Sequence, residues 1–211
     1  YNRSKLTKIV YEASKNIHIP LIAGGGLRNL DDIKDVLNAG ADKVFINTAA
    51  IKDPKLLEKA ANIYGSQCIV ASIEAKKRSN NKWEAYVDNG RESTNVDVIK
   101  WVKEVENLGA GEIFLTSVDR DGTKRGLEEE LINEVSENTN LPLVVSGGFG
   151  KLDQIKNFSS NEKIDGLAIG SVLHYDLIGI NDIKQELRKN NYLVRDTSNY
   201  SSIHKKETSL K

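Results

Sequence analysis

Two stretches of the chain repeat one pattern of residues. Residues 19–26 read Ile-Pro-Leu-Ile-Ala-Gly-Gly-Gly, residues 141–148 read Leu-Pro-Leu-Val-Val-Ser-Gly-Gly, and a Leu-Asp helix start follows each. The match continues one strand later, where residues 42–48 read Asp-Lys-Val-Phe-Ile-Asn-Thr and residues 165–171 read Asp-Gly-Leu-Ala-Ile-Gly-Ser. A unit of strand, glycine turn, helix, strand and small or hydroxyl residue that occurs twice indicates a barrel built by duplication of one half.

The rest of the sequence continues this alternation. Apolar runs separated by amphipathic segments are typical of β-α-β units around a parallel sheet. The predicted strands are residues 21–23, 43–46, 68–75, 112–117, 143–146 and 166–169. The predicted helices are residues 31–39, 54–64, 96–108, 128–139, 152–158 and 180–190, after a first helical segment over residues 4–17.

The spacing of the two copies sets the expected fold. Because two further strands separate them, each half would hold four strands, so we expect an α/β fold of the (β/α)₈ TIM barrel type whose first two strands precede Tyr1. We assign residues 1–195 to this partial barrel of about six βα units. Residues 196–211 are rich in Ser, Thr, Lys and Asn without periodicity, which predicts a flexible C-terminal tail.

The composition argues against several classes of partner. Lys plus Arg and Asp plus Glu both number 30, so the net charge of +0 gives no overall attraction to nucleic acid or anionic lipid. No apolar stretch approaches the ~20 residues that span a bilayer. The three histidines have no Cys, Asp or Glu at ligand spacing, so we expect no metal and no other cofactor. The single cysteine, Cys68, lies in an apolar run, which fits a buried reduced thiol and a cytoplasmic protein.

Glycine turns end the repeated strands, and a barrel of this type carries its active site at the carboxyl ends of its strands. Glycines there let backbone amides approach an anion closely. A tight turn without a ligand is the alternative for one Gly-Gly pair, but here a hydroxyl residue follows each pair one strand later. The predicted phosphate-binding residues are Gly25, Gly26, Asn47 and Thr48 in the first copy and Gly147, Gly148, Gly170 and Ser171 in the second. Two such sites imply a substrate with a phosphate at each end.

The segment after Lys77 departs from the βα pattern. Trp83, Tyr86 and the charged residues between them predict a hairpin or a long loop. Such a loop over a barrel mouth could act as a lid, but the absence of glycine hinges favours a surface excursion.

Three segments carry a resemblance to a known family. Residues 46–50 read Ile-Asn-Thr-Ala-Ala, residues 109–113 read Gly-Ala-Gly-Glu-Ile, and residues 116–123 read Thr-Ser-Val-Asp-Arg-Asp-Gly-Thr. They resemble the cyclase subunit of imidazole glycerol phosphate synthase, over about residues 7–195; the related isomerase of histidine biosynthesis shares the duplicated barrel, but the last segment is more characteristic of the cyclase. The resemblance implies conversion of a bis-phosphorylated ribulosyl formimino-aminoimidazole carboxamide ribonucleotide and ammonia to imidazole glycerol phosphate and aminoimidazole carboxamide ribonucleotide. A separate glutaminase partner would supply the ammonia.

The resemblance also assigns catalytic residues. Proton transfer in this reaction uses carboxylates on opposite strands; one family aspartate lies on the first strand, and the second corresponds to Asp121, for which a turn or cap role is the alternative. A further family aspartate corresponds to Glu74, and the resemblance adds Thr116 as catalytic and Gly122 as phosphate-binding. One extra methylene displaces a carboxylate by roughly an ångström, enough to alter rates. Glu74 therefore leaves open a paralogue that serves the amidation of surface-polysaccharide sugars.

The opposite edge of the sheet holds a second group of residues. Lys43 and Glu112 each open a strand, where a solvated ion pair is the ordinary interpretation. The resemblance implies instead a salt-bridged gate of an ammonia channel, with Asp42 facing the glutaminase. A third hypothesis is a non-catalytic remnant that binds the glutaminase. With two strands absent we expect the chain alone to be inactive or nearly so.

Overall fold

The computed structural model describes residues 3–78, 82–158 and 163–195 and has an α/β fold. The predicted tail, residues 196–211, lies outside the described residues. The strands are β1 (Ile22–Gly24), β2 (Lys43–Ile46), β3 (Ile69–Lys77), β4 (Trp83–Val87), β5 (Glu92–Asp97), β6 (Glu112–Ser117), β7 (Leu143–Ser146) and β8 (Gly166–Ala168). The helices are α1 (Arg3–Ser14), α2 (Leu30–Asn38), α3 (Thr48–Lys52), α4 (Lys55–Tyr64), α5 (Val98–Asn107), α6 (Glu129–Glu137), α7 (Ile155–Phe158), α8 (Ser171–His174) and α9 (Ile180–Lys189).

The strands form one curled sheet of the (β/α)₈ barrel type. Its parallel strands follow the order β1-β2-β3-β6-β7-β8, and the antiparallel pair β4–β5 branches from β3. All of the predicted strands are confirmed within two residues at each end. The segment after Lys77 is a hairpin, and β3 runs to Lys77 because β4 pairs with its last residues. The assignment of residues 1–195 to one partial barrel domain stays a prediction.

Side chains on the strands alternate between two environments. On β2, β6 and β7 the residues that face the helices are buried, and those on the other, concave face remain partly exposed apart from the buried Glu112. Val44, Ile113 and Leu143 belong to the buried set, at 0% exposure. The concave face is therefore the one that can carry functional side chains.

Helix starts follow from capping residues, and one of them corrects a predicted boundary. Asn29 caps α2 by accepting a hydrogen bond from the Asp32 amide at 2.9 Å. Asp97 caps α5 by accepting one from the Lys100 amide at 3.0 Å. The predicted start of that helix at residue 96 was two residues too early, because Val96 still pairs with β4.

The two copies predicted from the sequence also make an equivalent hydrogen bond. The Asp42 carboxylate accepts from the Leu21 amide at 2.7 Å, and the Asp165 carboxylate accepts from the Leu143 amide at 2.9 Å. Both aspartates precede the second strand of their copy. Both copies therefore place the same hydrogen bond at the amino edge of the sheet.

Two smaller findings concern the rest of the described chain. Cys68, predicted to be buried, is partly exposed because it closes a short 3₁₀ turn ahead of β3. Among the residues that the structure describes, no helix combines the length and apolar character needed to cross a membrane.

Candidate active site at the carboxyl edge of the sheet

The register of the parallel strands brings the predicted site residues to one edge. Glu74 on β3 lies beside Thr116 on β6, Thr116 lies beside Ser146 on β7, and Ser146 lies beside Ala168 on β8. Each glycine turn begins directly after the last residue of its strand. The predicted catalytic and phosphate-binding residues therefore share the carboxyl edge.

The first copy combines an open glycine turn with a covered strand end. Gly25 and Gly26 have φ values of 98° and 74°, and Gly26 is exposed. One strand later, the Asn47 amide nitrogen donates to the Tyr86 carbonyl at 3.1 Å, and the Thr48 hydroxyl lies 3.5 Å from the Asp88 amide. The hairpin β4–β5 thus reaches the Asn47–Thr48 end of this site.

The second copy has the opposite arrangement. Gly147 and Gly148 are buried, with φ values of 97° and 99°. A Cβ on Gly148 would lie 2.2 Å from the Gly126 carbonyl oxygen, and the Gly126 amide donates to the Gly148 carbonyl at 2.8 Å. Gly170 is exposed, with open space where a Cβ would stand, and Ser171 opens α8. Here the glycine turn is covered and the hydroxyl end is open.

Asp121 lies in the exposed loop between β6 and α6. Its amide donates to the Ser117 carbonyl at 3.0 Å, while its carboxylate has no hydrogen-bond or ion-pair partner in the described part of the chain. The residues before it are engaged, since Asp119 accepts from the Lys77 amide at 2.7 Å and Arg120 pairs with Glu128 at 2.9 Å. Gly122 follows with φ 72° and open space around it. The loop is fixed around a carboxylate that remains available.

The Glu74 carboxylate is half-buried and already bonded. Its Oε2 accepts from the Gly90 amide at 2.7 Å. Burial raises the pKa of Glu74, hydrogen bonds from the Gly90 amide and the Asn47 side chain partly offset the increase, and the negative charge of Asp88 adds to it. The predicted catalytic roles of Glu74 and its neighbour Thr116 stay predictions.

The amino edge of the concave face holds the predicted ion pair. Lys43 and Glu112 form a salt bridge, and the Glu112 side chain is 9% exposed. Directly above them the rings of Phe45 and Phe114 stack, with their centroids 6.1 Å apart. The contact between the two charged residues is confirmed, and the gate role stays a prediction.

Sequence reasoning missed the part that the hairpin takes in this site. Residues 88–90, Asp-Asn-Gly, form a turn with three consecutive positive φ values of 53°, 58° and 73°. The turn residues did not indicate what they would contact. Among the described residues, no cluster of three or more His, Cys, Asp or Glu side chains could hold a metal ion.

A duplicated parallel barrel with glycine turns at its carboxyl edge defines the class of (β/α)₈-barrel enzymes. The family described as histidine biosynthesis protein matches residues 1–179. The chain belongs to this family.

Comparison with curated proteins shows which members of this family the chain is similar to. The chain is 42% identical over 194 residues to the imidazole glycerol phosphate synthase subunit HisF of Clostridium botulinum (strain Okra / Type B1), which covers 92% of the chain and 77% of that protein. It is 42% identical over 207 residues to the subunit of the same name from Lactococcus lactis subsp. lactis (strain IL1403), covering 98% and 77%. It is 43% identical over 193 residues to that of Bacillus cereus (strain ATCC 10987 / NRS 248), covering 92% and 77%.

Proposed function

We propose that the chain acts as the cyclase subunit of imidazole glycerol phosphate synthase in histidine biosynthesis. The reaction converts the bis-phosphorylated ribulosyl formimino-aminoimidazole carboxamide ribonucleotide, with ammonia from a glutaminase partner, to imidazole glycerol phosphate and aminoimidazole carboxamide ribonucleotide. The observation that carries the proposal is the pairing of two glycine-and-hydroxyl units at one edge of the sheet, with the available Asp121 carboxylate at the same edge.

The two repeated units would hold the two phosphates. In the first, amides of the exposed Gly25–Gly26 turn and the hydroxyl of Thr48 are the donors, with Asn47 beside them. In the second, Gly170 and the Ser171 hydroxyl offer an open approach, and Gly147 and Gly148 shape the adjoining turn. Backbone amides and hydroxyls suit phosphate oxygens because they donate hydrogen bonds without needing a counter-charge.

Proton transfer is assigned to Asp121. A general acid or base must reach the reacting atom, and this carboxylate is exposed at the mouth with no partner in the described chain. Gly122 supports this role, since its left-handed backbone turns the loop sharply beside the carboxylate. Thr116, on the strand that leads to this loop, would contribute a hydroxyl at the same edge.

Ammonia would enter from the opposite edge. The Lys43–Glu112 pair closes the amino end of the concave face, and the exposed Asp42 beside it would lie at the glutaminase interface. Opening this route requires the pair to separate, and the stacked rings of Phe45 and Phe114 mark the next layer of the path.

The sugar-amidation paralogue remains a second candidate because of one residue. Glu74 stands where the cyclase pattern has aspartate, and its longer side chain reaches the Gly90 amide. A partner-binding role without catalysis would use the same amino edge but would not require an available Asp121 carboxylate.

Charge reversal in the second unit tests the proposal. We expect Ser171→Asp to weaken binding of the bis-phosphorylated substrate by about tenfold to a hundredfold, because a carboxylate would face a phosphate at close range. Ser66→Asp is the control, since Ser66 is exposed at the amino edge. Isothermal titration calorimetry measures both affinities. Equal affinity of Ser171→Asp and the unaltered chain would reject the phosphate assignment.

A further inference from the structure

The tip of the β4–β5 hairpin is fixed against three successive strand ends. The Asp88 amide approaches the Thr48 hydroxyl after β2, and the Gly90 amide donates to Glu74 on β3. A Cβ on Gly90 would lie 2.6 Å from a methyl carbon of Val118, which follows β6. Gly90 itself is buried, whereas Asp88 is exposed. The tip therefore links the proposed first phosphate unit to the loop that carries the proposed proton-transfer group.

The base of the hairpin is held independently of this tip. The buried Glu84 carboxylate accepts from the Ser93 hydroxyl and the Asn95 amide, both at 2.5 Å, and pairs with Arg78. Removing the tip contacts would consequently leave the hairpin attached to β3. Any change at the tip can be measured apart from the stability of the sheet.

Glu74 is the charged side chain that holds the tip in place. Its hydrogen bond to the Gly90 amide, at 2.7 Å, is charge-assisted and partly shielded from water. Gly90 has a φ of 73°, so its position beneath the tip excludes a side chain both by conformation and by space. The Glu74 carboxylate therefore holds the hairpin tip through the hydrogen bond that it accepts from the Gly90 amide.

Asn47 supplies a second observation at the same place. Its amide nitrogen is bonded to the Tyr86 carbonyl, but its Oδ1 is buried and has no donor among the described residues. A buried acceptor without a donor is unfavourable. The fixed hairpin thus covers an acceptor that would be satisfied by a ligand donor or by water if the tip moved.

We propose that Glu74 is a positioning residue, whose carboxylate holds Gly90 and the hairpin tip over the Asn47–Thr48 end of the site and so shapes the space for the substrate at this end. The substrate part of this statement rests on the proposed function. The positional part does not, because it concerns contacts within the chain. Glu74 acts through the hairpin and does not itself transfer a proton to the substrate.

Hydrogen exchange of the hairpin tests the positional part. We expect Glu74→Ala and Gly90→Ala to increase amide exchange over residues 86–91 by about tenfold or more. Glu74→Ala removes the acceptor of the Gly90 amide, and Gly90→Ala places a Cβ against Val118 at a positive φ. Glu74→Gln keeps an oxygen that can accept from Gly90 and should change exchange by less than about threefold. Glu92→Ala and Glu92→Gln are the matched controls, since Glu92 is an exposed glutamate of the same hairpin. Unchanged exchange in both Glu74→Ala and Gly90→Ala would overturn the proposal.

Kinetics of the complete eight-stranded barrel, with ammonium salts in place of the glutaminase, separate positioning from proton transfer. A positioning role predicts that Glu74→Gln keeps kcat within about fivefold, while Glu74→Ala raises KM by about tenfold or more as the tip loosens. A loss of kcat of about a hundredfold in Glu74→Gln, with its hairpin exchange unchanged, would assign proton transfer to Glu74 and reject the proposal. If the complete barrel shows no cyclisation, the proposed function is in doubt, and the exchange experiment on the chain itself still decides the role of Glu74.

Discussion

The two copies of the repeated unit share a backbone plan but differ in which part is covered. In the first copy the Gly25–Gly26 turn is open and the hairpin tip covers the Asn47–Thr48 end. In the second copy the loop after β6 covers Gly148, and Gly170 is open. Duplication therefore preserves the strands and glycine turns, while the inserted loops decide where each half of the mouth admits a ligand.

The two covering segments also differ chemically. The β6–α6 loop is held to the second copy through uncharged groups, since the Gly126 amide donates to the Gly148 carbonyl and the Gln154 side chain donates to the Lys124 carbonyl at 3.3 Å. The hairpin is fixed beside the first copy through a side chain of the neighbouring strand β3, Glu74, that can take up a proton. The loop carries an available carboxylate, Asp121, whereas the exposed Asp88 of the hairpin is paired with Arg91. We infer that the loop over the second copy carries the chemistry and the hairpin over the first copy sets position.

The largest expected effect tests this division of roles. In the complete eight-stranded barrel, Asp121→Asn preserves shape and removes the proton acceptor, so we expect kcat to fall by ~10²–10⁴-fold with folding unchanged. Asp88→Asn is the matched change on the other covering segment. Asparagine tolerates its φ of 53°, and the exposed pair with Arg91 contributes little, so kcat should change by less than about threefold. Steady-state kinetics and circular dichroism check both variants, and equal losses of kcat would contradict the comparison.

A smaller effect is expected at the two glycine turns. Gly148→Ala places a Cβ against the Gly126 carbonyl at an unfavourable φ, which we expect to lower the free energy of unfolding by about 3 kcal/mol or more. Gly26→Ala adds a side chain at an exposed left-handed position, which should cost about 1 kcal/mol. Urea denaturation measures both. Similar values for the two variants would mean that the second turn is not more tightly covered than the first.

The strands of the two copies could be predicted from the sequence because each depends on a pattern of neighbouring residues. The strands of both copies are short apolar runs, and a glycine pair follows the first strand of each copy, so their positions could be identified within two residues at each end. The Lys43–Glu112 contact was accessible only through the family resemblance, since the two residues are 69 positions apart and their meeting depends on strand register. Asp165 could have been found from the repeat, because it occupies the position of Asp42.

The sequence did not predict which segments would cover the two copies. The same Gly-Gly letters occur in both copies, and the burial of Gly148 depends on Gly126, which belongs to a different loop. The hairpin was interpreted as a surface excursion because no glycine hinge flanked it. Its tip instead reaches the site through the backbone amides of Asp88 and Gly90. Amides are present at every position except proline, so residue identity carries little information about such contacts.

The smallest expected effect is a pH dependence that only the hairpin should show. Burial raises the pKa of the Glu74 carboxyl above its ordinary value, despite the hydrogen bonds from Gly90 and Asn47, and the nearby Asp88 adds to the increase. A carboxyl whose pKa is raised by folding binds more protons in the folded state than in the unfolded state between the two pKa values. Its contribution to stability is therefore fully present below the unfolded pKa and is lost as the pH rises through the folded pKa.

We expect the unfolding free energy of the unaltered chain, relative to Glu74→Gln, to decrease as the pH rises through this window, by less than Gly148→Ala costs. Over the same range the amide proton resonance of Gly90 should titrate, and that of Gly126, whose acceptor is a backbone carbonyl, should not. A flat difference in unfolding free energy, or equal titration of both amides, would remove the chemical distinction between the two covers.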